Sequence, residues 1–387
     1  MSKKNIKNDN NLPIVAICYD FDKTLSPDNM QEQGYIQAIG YERASEFWDQ
    51  SSELAKNNDM DQNLAYMYMM LEMSRGKVLF TKETLNKKGA DISFFPGVVE
   101  WFERIRQYGK EKGVLIEHYI ISSGLKEMIE GTVLAKNNEF KEIYASSFYY
   151  DDKGVAVWPA QVVNYTNKTQ FLFRIEKGTL DINDPGVNDS FNDDEIRVPF
   201  RNMIYIGDSD TDIPCMKLVN SYGGHSIAVY NPFTNDKTLA YKMMREKRIR
   251  YYAAADYSEG KDLDTLVKNI IDRTVYNEKL ENLHYKQLKE QQNNDASQSE
   301  EEIIKGELIL ALENSSSYAT THMVISKMQE INGWSSTEKE ELFTIALENS
   351  QVRGVLLDVD VKDVYCNLLK GAKPLSENAK KIQEIIK

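Results

Sequence analysis

Two aspartates one residue apart, Asp20 and Asp22, stand in the segment "DFDKTL", and two more, Asp208 and Asp212, stand in "GDSDTD". Between them in the chain lie Ser122, Ser123 and Gly124 in "IISSG", and Lys168 in "NYTNKTQF". Carboxylates brought close together repel and shift one another's protonation. A hard divalent cation resolves that conflict. Oxygen ligands with bound waters suit Mg²⁺, and no neighbouring His or Cys points to zinc. A cation held by one or two carboxylates is built to share a substrate phosphate. A serine hydroxyl and a lysine then supply a donor and a positive charge for phosphoryl oxygens, the positioning and neutralisation that phosphoryl transfer needs.

These residues act together only if the fold brings them together. The apolar run from Ile14 to Tyr19 predicts a buried parallel strand that ends at Asp20. "IEHYIISSG" predicts a second strand ending at the serines, and "NMIYIGDSDTDIPCMKLV" a strand, an acidic turn and a helix. In an open parallel sheet, ligands bind beyond the carboxyl ends of the strands. Pro96 marks the start of another helix. "EIYASSFYYDDKGVAVWPAQVV" predicts two strands around a turn at Asp151–Gly154, with helix after it, and "SIAVY" predicts a final short strand. "DINDPGVNDSFNDDE" reads as a solvated acidic loop. Strands alternating with helices give an α/β class with a Rossmann-like parallel sheet.

The set "DFDKTL", "IISSG", Lys168 and "GDSDTD", in that order, resembles the four motifs of the haloacid dehalogenase superfamily over about Ile14–Asp272. The resemblance implies that Asp20 is the nucleophile and becomes an aspartyl-phosphate. It implies that Asp22 protonates the leaving oxygen and then deprotonates water. Ser122, with Ser123 and nearby N–H groups, would hold the phosphoryl oxygens, and Lys168 would balance their charge. Asp20, the carbonyl of Asp22 and Asp208 would bind Mg²⁺. Asp212 would support the metal or its waters, or anchor Lys168. Dehalogenases of the superfamily lack the second aspartate, and its ATP-driven pumps carry Thr in the place of Asp22. The resemblance therefore implies a phosphatase acting on a small phosphorylated substrate. A phosphomutase or phosphotransferase, which differs only in the acceptor, is the alternative.

The chain reads as a core over 13–27 and 92–285, with a helical cap inserted over 28–91. This insertion resembles the cap of phosphoserine-phosphatase-like members. Its charged residues Glu32, Arg43 and Arg75 are candidates for reading the substrate, against a simpler role on a solvated helix face. Residues 1–12 read as a disordered tail and 286–302, rich in polar residues, as a linker. Residues 303–387 form an all-α module in which "ALENS" occurs at Ala311–Ser315 and again at Ala346–Ser350, the mark of a two-unit helical repeat. "SSTE" at Ser335–Glu338 has the spacing of a capping box. A helical repeat without catalytic residues suits docking of a protein partner.

Composition narrows the remaining classes. The net charge of −13 disfavours nucleic-acid and anionic-membrane binding, both of which need clustered Lys and Arg. The three cysteines are scattered and define no metal or disulfide framework. No apolar run approaches a membrane span, and the polar N-terminus lacks the core of a signal peptide. The expected location is the cytoplasm.

Overall fold

The structure is a computed structural model and describes residues 12–192, 195–297, 300–370 and 375–387. The expected disordered tail falls, except for Leu12, outside the described residues. The chain divides into two compact units, Met1–Asn282 and Leu283–Lys387.

The first unit is built on a seven-stranded sheet. Its strands are β1 (Ile14–Tyr19), β2 (Leu115–Leu125), β3 (Glu142–Tyr150), β4 (Ala156–Gln161), β5 (Met203–Gly207), β6 (His225–Tyr230) and β7 (Tyr251–Ala254). The spatial order is β4-β3-β2-β1-β5-β6-β7, and every neighbouring pair is parallel except β3 with β4. The chain runs outward from β1 through β2, β3 and β4, then returns to β5 on the other side of β1. That reversal leaves a crevice beside the carboxyl end of β1.

β1 is buried along its whole length. Val15, Ile17 and Tyr19 enter one core, and Ile14, Ala16 and Cys18 enter the other, as the two-residue period of a strand requires. Its one buried hydroxyl is satisfied: Trp101 Nε1 donates to the Tyr19 hydroxyl at 2.7 Å, and that oxygen lies 3.0 Å from His118 Nδ1. Burial, with the Arg106 charge, lowers the His118 pKa to about 3, so this histidine is a neutral core residue.

The insertion after β1 is helical as expected, with Tyr35–Ala38, Ala44–Asn57, Gln62–Ser74 and Lys82–Gly89 as its α-helices. Asp61 caps the third of these, accepting from Asn63 N and Leu64 N. Beyond the insertion the Val98–Lys112 helix opens at Gly97, whose φ of 75° places it in the left-handed region. The expected hairpin is β3–β4, turned at Asp151, which accepts from Lys153 N and Val155 N.

Three expectations need correction. "SIAVY" lies in β6 but is not the last strand. β7 follows it, a four-residue edge strand within "YYAAADY" that is too short to show a period. The acidic loop is tied down rather than merely solvated. Arg174 donates to the carbonyls of Asp181, Ile182 and Asp184, and Lys177 to those of Val187 and Asp189. Residues 193–194 of that loop lie outside the described residues. Finally, the expected linker is helical over 286–297, within the Asp262–Ser297 helix. Its sequence has Leu288 as its one large apolar residue and shows no apolar period, but Lys, Glu and Gln remain good helix formers.

The second unit is all helical among its described residues. Beyond the end of Asp262–Ser297 it contains Glu300–Glu313, Tyr318–Gln329, Ser336–Glu348, Ser350–Gly354, Val359–Lys370 and Glu377–Ile386, around its own apolar core. Both "ALENS" segments end a helix. Asn349 of the second donates through Nδ2 to the carbonyls of Glu313 and Ser315 in the first, at 2.8 and 3.0 Å. Ser335 and Glu338 form the expected capping box.

Candidate active site

β1 delivers Asp20 to the crevice, and Asp20 N donates to the Ile206 carbonyl at 2.9 Å, locking the motif loop to β5. The chain then turns sharply, with Lys23 at a φ of 57°, an uncommon left-handed conformation for a lysine. Tyr257 donates its hydroxyl to the Thr24 carbonyl at 2.9 Å and steadies that turn. Met30 N donates to Asp22 Oδ1 at 2.7 Å, which fixes the second aspartate. Gly124, at the end of "IISSG", leaves room for its neighbours: a Cβ there would push the Met30 methyl aside and stand 3.0 Å from Asp22 Oδ2.

The Lys168–Lys177 helix places Lys168 at its first residue, fully buried. Nζ donates to Asp20 Oδ1 at 3.0 Å and to Asp212 Oδ1 at 2.8 Å. Burial alone would favour the neutral amine, but the two carboxylates outweigh it and hold the Lys168 pKa well above its ordinary value. Asp212 is itself saturated. Its Oδ1 also accepts from the Tyr205 hydroxyl at 2.9 Å, and its Oδ2 accepts from Asp208 N, Ser209 N and Ser209 Oγ, each at 3.2 Å. With its lone pairs committed, Asp212 is an anchor for Lys168 and for the turn around Asp208. Gly207 permits this packing, since a Cβ there would stand 2.5 Å from Asp212 Oδ2.

Asp20, Asp208 and Asp212 offer carboxylate oxygens that all lie within 4.8 Å of one another. Against these charges stands the Lys168 ammonium, bonded to two of them, with Lys23 acting on Asp208 through its charge. Burial, then Asp212 and Asp20, drive the Asp208 pKa well above its ordinary value. Burial likewise lifts Asp20 to about 6, against the pull of Lys168. Asp22 rises to about 8, through burial first and the Asp20 charge second. Asp20 and Asp208, crowded and oxygen-rich, fit a hard divalent cation, which would remove the repulsion that raises their pKa values.

All of these groups except Asp212 open onto one cleft of about 620 Å³, together with Ser122, Ser123 and Lys23. The three cap candidates fall elsewhere. Arg43 and Arg75 are exposed and paired with Glu46 and Glu72 on their own surface. Glu32 sits behind the cleft, accepting from Asn29 Nδ2 at 2.5 Å and Trp48 Nε1 at 2.7 Å. Asn29 lines the cleft in its stead. The sequence reading also missed Asp61, Gln62, Asn63, Asn164 and Tyr165, which form part of the wall. Asp61 carried a usable signal, a helix-capping type directly before an apolar stretch. Asn164 and Tyr165 carried none beyond their nearness to Lys168.

The profile of the haloacid dehalogenase-like hydrolases matches residues 17–217, more than half of the chain. The chain belongs to this family. A protein of Borreliella burgdorferi (strain ATCC 35210), described only as uncharacterized, is 28% identical along an alignment of 274 positions that covers 65% of this chain and 94% of that protein. Among solved structures, a HAD family hydrolase from Salmonella enterica serovar Typhi is 19% identical. It covers 67% of this chain and 72% of its own length, with a TM-score of 0.44. A substrate-bound phosphoserine phosphatase is 14% identical, covers 66% of this chain and 97% of its own, and gives a TM-score of 0.41. The matched region begins within β1 and ends within the Ile213–Ser221 helix, so it contains Asp20, Asp22, Ser122, Lys168, Asp208 and Asp212. The second unit lies beyond the matched residues.

Proposed function

We propose that the chain is a Mg²⁺-dependent phosphatase that hydrolyses a phosphate monoester through a phosphorylated Asp20. One observation carries this reading. Lys168 is pinned between Asp20 and Asp212 in the same crevice that holds Asp22, Asp208 and Ser122.

In the first half-reaction an Asp20 oxygen attacks phosphorus and the bond from phosphorus to the leaving oxygen breaks. Asp22, whose pKa near 8 keeps it protonated at neutral pH, passes its proton to that leaving oxygen. In the second, Asp22 takes a proton from water, the water oxygen attacks phosphorus, and the bond to Asp20 breaks to release phosphate. Lys168 holds Asp20 in line and offsets phosphoryl charge, while Ser122 and neighbouring backbone N–H groups receive the other phosphoryl oxygens. Asp20, Asp208 and the carbonyl of Asp22 would hold Mg²⁺, which when bound neutralises charge on the transferring group.

The test is release of inorganic phosphate from a chromogenic aryl phosphate with no added acceptor. Activity should vanish on exhaustive chelation and return with Mg²⁺. Full turnover without a divalent cation overturns the metal assignment. Phosphate release only when an alcohol or sugar acceptor is supplied points instead to a phosphotransferase.

A further inference from the structure

We propose that the cleft is selective for phosphomonoesters whose leaving group carries an ammonium, with Asp61 as the group that recognises it. The inference rests on the phosphatase reading above and concerns the part of the cleft wall that carries no motif residue. The cations among the described residues lining the cleft are Lys23 and Lys168. Both belong to the phosphoryl end: Lys168 is consumed by Asp20 and Asp212, and Lys23 adjoins Asp22.

The cap contributes Asn29, Met60, Asp61, Gln62 and Asn63 to the wall, and the core adds Asn164 and Tyr165. Asp61 is the one charged group in this set. It is held firmly: Oδ1 accepts from Asn63 N and Leu64 N at 2.8 and 3.1 Å, and Oδ2 accepts from Asn164 Nδ2 at 3.1 Å. Among the described residues, Asn164 Nδ2 is the one donor to Oδ2, an oxygen able to accept a second bond. Asn63 in turn donates through Nδ2 to the Val163 carbonyl at 2.9 Å, so cap and core are buttoned together at this spot. Tyr165 is 57% exposed beside it and offers an aromatic face, which attracts ammonium groups. The four amides of this wall can bond to either ion, so the fixed Asp61 carboxylate and the Tyr165 face decide in favour of a cation and against a carboxylate. A leaving group that ends in a carboxylate would meet Asp61 with no cap cation to offset it.

The experiment compares 2-aminoethyl phosphate with 2-hydroxyethyl phosphate, which differ only in the terminal ammonium, and with O-phosphoserine, which adds a carboxylate. The wild-type chain should favour the amine over the hydroxyl compound by about tenfold in kcat/KM, and over O-phosphoserine by more. Asp61→Asn keeps the size and the helix cap but removes the charge and the bond from Asn164, so the amine-to-hydroxyl ratio should collapse toward one. A general loss of fold or activity would not move that ratio. Binding of 2-aminoethyl phosphate to the Asp20→Asn protein, followed by calorimetry with Mg²⁺ present, gives a readout independent of turnover. Selective binding of the amine compound there supports the subsite even if no ester is hydrolysed, an outcome that would overturn only the phosphatase reading. Equal treatment of amine and hydroxyl compounds in both assays, preference for O-phosphoserine, or a ratio unchanged in Asp61→Asn overturns the subsite while leaving chromogenic turnover to stand.

Discussion

Asp20 and Asp22 share a loop, yet the structure gives them different tasks through their neighbours. Asp20 faces the Lys168 ammonium, whereas Asp22 faces a backbone N–H and the Asp20 charge. Replacing Asp20 by Asn should reduce turnover by roughly 10⁴ or more, the scale of a lost nucleophile. Stopped assays on protein free of contaminating phosphatase check this, and substantial residual turnover would remove Asp20 from the role. Asp208 yields a second expectation. Its pKa is raised in the absence of a cation, so a proton and Mg²⁺ compete for it. Mg²⁺ affinity should weaken as pH falls, and binding near neutrality should release protons. Calorimetric titration in two buffers of different ionisation enthalpy measures that release; identical heats in both would show that no proton leaves. Lys168 opens a helix and was placed by its order among the motif segments; the other three were legible because each is a dense run of functional types at a strand end. Asp61 and Asn164 were not, because their meaning comes from a contact between residues far apart in the chain, 3.1 Å in space.

Elements were legible where pattern and length agreed. β1, β2 and the Ser335 cap carried strong local signals, while β7 is four residues long and its burial depends on β6 alongside it. The helix through 286–297 was hidden for a different reason, since the absence of core contacts says nothing against a helix. In the second unit, the Tyr318–Gln329 helix is tied to the start of Val359–Lys370 by His322. Its Nδ1 lies 2.6 Å from Asp360 Oδ2 and its Nε2 lies 3.1 Å from Asp358 Oδ2. Both ring nitrogens donate only in the imidazolium, and the hydrogen bond with Asp360 raises the His322 pKa above 6.5. A raised folded-state value means the tie stabilises fully below pH 6.5 and is lost as pH climbs through the higher folded-state pKa. Amide exchange in Tyr318–Gln329 should therefore quicken from mildly acidic to mildly alkaline pH, beyond the intrinsic rise. In His322→Gln that extra acceleration should vanish. An equal pH response in wild type and variant would remove His322 from this role.

At the scale of the molecule, chemistry and repeat are separate in the chain. The four motif segments lie in Met1–Asn282, and the second unit has its own apolar core, from Leu308 to Ile386. The expectation that residues 303–387 dock a protein partner concerns this second unit, and every motif residue lies in the first. A chain ending at Gln291 retains every strand, and it keeps Glu278 and Glu281, the ion-pair partners of Arg201. Removing the rest should leave a folded protein whose kcat on a chromogenic phosphate stays within about twofold, because the cut falls late in the Asp262–Ser297 helix, well past its core residues Leu263, Val267, Ile270 and Ile271. The complementary fragment should be helical by circular dichroism and silent in the same assay. If the repeat instead supplies part of the substrate site, truncation will raise KM. If it holds copies of the chain together, truncation will lower the mass seen by light scattering. A truncated chain that keeps its sheet, judged by circular dichroism and a cooperative melt, yet hydrolyses nothing would show that the two units form one catalytic device.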